Sequence, residues 1–63
     1  MQKGIILEND QDLDYAINDR QPVEVNLWGN IDYRGKIISY TAESIRMDNG
    51  HWYIRGVAEV RTV

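Results

Sequence analysis

The spacing of apolar residues changes at Pro22, and that switch sets the class of fold. Before it, Leu13, Ala16 and Ile17 fall at i, i+3 and i+4, one face of a short helix. After it, Val23, Val25 and Leu27 alternate with Glu24, Asn26 and Trp28, the pattern of a strand buried on one side. A proline holds its predecessor in extended backbone, so Gln21 cannot carry the helix into the strand. Asn9 or Asp10 supplies an N-cap, and the acids of the first turn complement the positive end of the helix dipole. Arg20 suits the last turn, so the helix is expected over residues 9–20.

Beyond the first strand, Gly29-Asn30 predicts a turn. Ile31, Tyr33 and Ile37 share one parity around Gly35 while Ile38 and Tyr40 take the other, which predicts a bend or bulge near Gly35. Ile45 and Met47 begin a third strand. Asp48-Asn49-Gly50 is the strongest hairpin signal, since Asn-Gly accepts the positive φ angles of a type I′ turn. Trp52 to Arg55 form the return strand, residues 56–59 break the alternation, and Val60 to Val63 supply a last short strand. The expectation is a single mainly β domain over residues 1–63: a short N-terminal helix, then a five-stranded, strongly bent, SH3-type small barrel.

A chain of 63 residues buries only about 60% of the surface exposed by its unfolded form and calls for a supplement to its core. With no cysteine and one histidine, disulfides and thiolate or histidine-rich zinc sites are excluded, which leaves oligomerisation. The net charge is −3, and its distribution is uneven. Residues 1–24 hold Glu8, Asp10, Asp12, Asp14, Asp19 and Glu24 against Lys3 and Arg20, or −4; the rest carries +1, so a polyanion site is expected away from the N-terminal segment. No basic leader with a long apolar core opens the chain, whose longest apolar run there is Ile5-Ile6-Leu7; this predicts a cytoplasmic protein without a membrane span.

Chemistry-bearing constellations are sparse. Asp10, Asp12 and Asp14 resemble the start of an EF-hand loop, but Tyr15 stands where the loop needs glycine and Gln21 where it needs glutamate. His51 beside Trp52 has no nucleophile or orienting group in the pattern and reads as a loop residue. No catalytic residue, metal or cofactor is therefore expected. The aromatics are chiefly core or interface in so small a fold, with Trp28 and Tyr33 the best exposed candidates for stacking.

The stretch PVEVNLWGNIDYRGKIISYTAESIRMD, followed by WYIRGVAEV, resembles the Sm-like superfamily, and within it the bacterial Hfq branch. Pro22-Val23-Glu24-Val25, the Gly29-Asn30 turn and Gly35-Lys36-Ile37-Ile38-Ser39-Tyr40-Thr41 stand in that family's order, after a helix. Tyr53-Ile54-Arg55-Gly56-Val57 occupies the place of its Tyr-Lys-His-Ala-Ile. The resemblance implies an Sm-like barrel closing with its neighbours into a ring of about six or seven subunits, a symmetric assembly that leaves no open sheet edge. It departs where Thr41 replaces the family's Asp, where Ala42, Glu43 and Ser44 leave no uridine-stacking platform, and where Ile54-Arg55 replaces the Lys-His pair. On the opposite face, Ile31 is kept while Asn26, Asp32 and Arg34 depart, and the helix is acidic; DRQPVEVNL looks most like the cyanobacterial branch.

Two readings follow from this. In the first, the chain forms an Hfq-like homo-oligomeric ring that regulates single-stranded RNA, using Arg55, Tyr53, Arg34, Lys36, Ile31 and Tyr33. In the second, the same fold is an acidic adaptor or inhibitor of a nucleic-acid-handling machine, and its protein-partner face is Asp12, Asp14, Tyr15 and Asp19. The acidic helix and the missing uridine pocket favour the second reading; the register favours the first, and so does subunit repetition, which lets a few cations per chain add up around a ring, so the RNA-binding ring is the expectation and the adaptor the alternative.

Overall fold

The computed structural model describes residues 2–63. One helix is followed by strands alone, as the switch at Pro22 requires. Helix α1 spans Asp10–Asn18, and the Asn9 side chain accepts from the Asp12 amide at 2.9 Å to cap its first turn. Leu13 and Ala16 are buried, and the helix packs chiefly on the strand that ends at Tyr40. The helix stops two residues short of the expected end. Arg20 takes φ 51°, its amide donates to the Ile17 carbonyl at 3.1 Å, and the Gln21 amide donates to the Ala16 carbonyl at 2.9 Å. This is a Schellman closure with arginine in the left-handed position usually held by glycine. Arg20 therefore lies beyond the last turn instead of within it.

The strands are β1 (Val23–Leu27), β2 (Asn30–Gly35), β3 (Ile37–Tyr40), β4 (Ser44–Met47), β5 (Trp52–Ile54) and β6 (Glu59–Thr62). They form two antiparallel three-stranded sheets, ordered β2-β1-β6 and β3-β4-β5. In place of the expected five-stranded, strongly bent small barrel there are two small sheets that meet where β2 passes into β3 across Lys36. The bend expected near Gly35 is this junction, and two bulges accompany it. Asp32 is the extra residue of β2 against β1, and Ile38 is the extra residue of β3 against β4. The second bulge explains the parity change: Ile38 is turned outward, while Ile37 is buried and Tyr40 still packs on the core.

Two turns differ from expectation. The first β-turn is centred on Trp28-Gly29, one residue early, with φ 50° and 81°. Positive φ at both central residues is the requirement of a two-residue type I′ hairpin. At Asp48-Asn49-Gly50, by contrast, only Gly50 has positive φ (86°), and its amide donates to the Met47 carbonyl at 2.9 Å. That is a three-residue loop with glycine in the left-handed position, not type I′. The Asn49 side chain is used differently, accepting from the His51 amide at 2.9 Å.

Val23, Val25, Ile37, Ile45, Met47, Tyr53 and Val60 meet Leu13 and Ala16 in one core. Leu7 joins them from a segment before the helix, which lies along the outer edge of β6. The Gly4 amide donates to the Thr62 carbonyl at 2.7 Å, the Thr62 amide to Ile5 at 2.9 Å and the Leu7 amide to Val60 at 2.8 Å. The buried Thr62 hydroxyl accepts from the Ile5 amide at 2.9 Å and donates to the Gln2 carbonyl. Both edges of β6 are thus occupied within the chain.

Candidate functional site

The residues expected to hold RNA fall into two separate groups, each built around carboxylates. Arg55 follows β5, and its guanidinium pairs with Asp10 at 2.7 Å, donates to the Thr41 carbonyl at 2.9 Å and lies over the Tyr40 ring at 5.6 Å. Its side chain is only 17% exposed. The Tyr40 hydroxyl in turn donates to Asp14 at 2.6 Å. Arg55 therefore ties the start of α1 to the sheet and presents little free charge to solvent.

The second group lies around the β2 bulge. The buried Tyr53 donates to Asp32 at 2.6 Å, and Tyr33 donates to Asp48 at 2.5 Å. Gly35 makes the latter contact possible: a Cβ there would come within 2.5 Å of both the Asp48 carboxylate and the Tyr33 ring. On the same strand Arg34 pairs with Glu24 at 3.2 Å, and Asn26 also donates to Glu24 at 3.4 Å. Lys36 and Ile31 are exposed. The bond to Asp14 pushes the Tyr40 hydroxyl up to about 12, while burial and then the bond to Asp32 push Tyr53 up to about 12. Tyr33 is likewise raised, first by its bond to Asp48.

The acidic face proposed for a protein partner is split in the same way. Asp14 is committed to Tyr40, and Asp12 accepts from the Glu8 amide at 3.1 Å. Tyr15 and Asp19 remain exposed on α1 and at its C-cap. Asp10, Asp12 and Asp14 each take a different partner, and among the described residues no group of three metal-ligating side chains converges. Among the described residues, no helix is long and apolar enough to cross a membrane.

Large apolar side chains stand outside both groups. Trp28 is 84% exposed at the tip of the β1–β2 hairpin. It borders an open groove of about 430 Å³ with Asn26, Val57, Glu59 and Arg61. A second groove of about 400 Å³ shares Val57 and Glu59 and continues to Ile6, Glu8 and Arg55. Arg61 is ion-paired with Glu59, whose carboxylate raises the guanidinium pKa further. The sequence marked Trp28 as an exposed aromatic but gave no sign of Val57 as its neighbour, because residues 56–59 carry no periodic pattern. Comparison with known protein families, with characterised proteins and with solved structures gives no match to this chain.

Proposed function

We propose that this chain is a protein-interaction module on an Sm-like bent β fold, acting as an acidic adaptor or inhibitor rather than as an RNA-binding ring. The observation that carries this reading is that Arg55 and Arg34 are each paired with a carboxylate of the chain itself. A phosphate approaching Arg55 meets Asp10 already in place, and one approaching Arg34 meets Glu24. Backbone affinity for nucleic acid grows with the number of phosphates a surface can neutralise, and ion pairs already made inside the protein do not add to that number. The tyrosines that would stack bases have their hydroxyls fastened to Asp32 and Asp48, placing further carboxylates on the same surface.

One structural feature supports the finer fold, and another bears on ring closure. β2 and β3 read as one bent strand interrupted at Lys36, which links the sheet orders β6-β1-β2 and β3-β4-β5 into a five-strand sequence. Residues 4–7 occupy the outer edge of β6, so a ring closed through that edge would first have to displace them.

The reading is tested by affinity capture with and without nuclease, comparing the natural chain with an Asp12→Lys, Asp14→Lys, Asp19→Lys variant. Capture of a protein partner that survives nuclease and weakens on charge reversal is expected. Partners that disappear with nuclease would overturn the reading.

A further inference from the structure

An open sheet edge is a template for another strand, and folded chains blunt it with covers, bulges or charges. Three of the four outer strands here are treated in this way. Residues 4–7 cover β6. β2 carries the Asp32 bulge and the exposed, charged Asp32 and Arg34, while β3 carries the Ile38 bulge and meets α1. β5, Trp52–Ile54, differs from all three: it has no bulge, no proline, no charged side chain and, among the described residues, no covering segment.

The β4–β5 ladder fixes which way the backbone groups of β5 face. The Met47 amide donates to the His51 carbonyl at 3.0 Å and the Arg55 amide to the Glu43 carbonyl at 2.9 Å, so residues 51, 53 and 55 turn their backbone groups towards β4. Trp52 and Ile54, the alternate residues, turn theirs outward. The Ile54 carbonyl accepts from the Val57 and Ala58 amides at 3.0 and 2.9 Å. That leaves the Trp52 amide, the Trp52 carbonyl and the Ile54 amide without a partner among the described residues.

The side chains beside this edge set the chemistry of its occupant. Trp52 is 51% and Ile54 61% exposed, and Arg46 lies across from Trp52 with its guanidinium 5.7 Å from the centre of the indole. Arg46 is exposed and, unlike Arg34, Arg55 and Arg61, has no carboxylate partner among the described residues. No aspartate or glutamate occurs in β3, β4 or β5, although the chain as a whole carries −3. A second copy offering its own β5 would bring another uncompensated Arg46 to the joint sheet; an acidic strand supplies the missing charge. Resting on the protein-interaction reading above, we infer that the outer edge of β5 is a strand-addition site for an extended acidic segment of a partner protein. The backbone of the segment pairs with Trp52 and with the Ile54 amide, its apolar residues lie beside the Trp52 and Ile54 side chains, and a carboxylate on the same face meets Arg46. In this mode main-chain bonds give affinity and alternate side chains give specificity. The site is separate from Tyr15 and Asp19 on α1, so the adaptor has two surfaces of opposite charge.

The test uses three short synthetic peptides titrated into the isotopically labelled chain at physiological ionic strength. One alternates valine with glutamate, the second is the same peptide N-methylated along its backbone, and the third replaces glutamate by lysine. The first is expected to move the Trp52, Tyr53 and Ile54 amide resonances and to slow hydrogen exchange at the Trp52 and Ile54 amides; the other two are expected to leave both unchanged. Ile54→Pro removes an outward N–H and no ladder bond, and is expected to weaken the first peptide at least about tenfold. Arg46→Glu, a change at an exposed position that leaves the hairpin in place, is expected to weaken it about tenfold as well. Absence of binding by the first peptide, equal binding by either of the others, protection away from β5, or undiminished binding by Arg46→Glu would each overturn the assignment. Resonances of β5 that move with chain concentration alone would give the edge to a second copy and overturn it too. A parallel titration with a U-rich oligonucleotide separates the two levels. If RNA moves the resonances of Arg34, Lys36 or Arg46, the protein-interaction reading itself fails; if RNA and the first peptide are both silent, the strand-addition site alone falls.

Discussion

Trp28 and Arg20 share a left-handed backbone conformation, and residues with side chains hold it at a cost of order 1–3 kcal/mol. Arg20→Gly should therefore stabilise the fold by about 1 kcal/mol, because the Schellman bonds are made by the backbone and survive the change. Trp28→Asn should act in the same direction by a similar amount of about 1 kcal/mol. Thermal unfolding followed by circular dichroism checks both, with a rise of roughly 4–8 °C expected for each kcal/mol in a domain of this size. The tyrosines give a prediction in pH. Tyr40 and Tyr53 are raised to about 12 and Tyr33 is raised above its ordinary value, so the folded state holds these protons more tightly than the unfolded chain. Their contribution is fully present below the unfolded value of about 10 and is lost as pH rises through the folded values. Stability to urea should hold up to about pH 10 and fall towards pH 12, with a weaker fall in Tyr53→Phe. A flat profile across that window would contradict the assignment of these hydroxyl bonds.

At the scale of elements, the attachment of α1 rests on Leu13 and Ala16 inside and on Arg55 and Tyr40 at the rim. Arg55→Ala removes an ion pair, a bond to the Thr41 carbonyl and a cation over the Tyr40 ring. Because Asp10 is largely exposed, the expected loss is modest, about 1–2 kcal/mol. Amide exchange should accelerate in α1 and much less in β1 and β6, whose ladder does not involve Arg55. Uniform acceleration across the molecule would show that Arg55 is not a local clasp. The elements were largely legible in the sequence, because periodicity and punctuation are local properties. The helix at Leu13-Ala16-Ile17, the alternation after Pro22 and the bend at Gly35 all follow from neighbours a few residues apart. The turn types were not legible in the same way. Asn-Gly at residues 49–50 carries the stronger type I′ signal, yet the positive-φ pair falls on Trp28-Gly29, where the register of Leu27 against Asn30 leaves only two residues to close the hairpin.

For the whole molecule, what decides function is which charges meet, and this lies beyond local pattern. Arg55 and Asp10 are 45 positions apart in sequence, and Tyr53 and Asp32 are 21 apart. Listed along the chain, Arg34, Lys36 and Arg55 form a plausible cationic set; folded, Arg34 and Arg55 are spoken for, and the two lie in different groups. The covering of β6 by residues 4–7 was likewise hidden, since Ile5-Ile6-Leu7 is too short a run to declare a pairing partner. These long-range pairings leave Arg34 and Arg55 each held by a carboxylate of the chain itself. The most direct test is native mass spectrometry of the purified chain with A-rich and U-rich oligonucleotides at physiological ionic strength. The account predicts protein free of RNA in both mixtures; a closed ring of subunits carrying either oligonucleotide would contradict it.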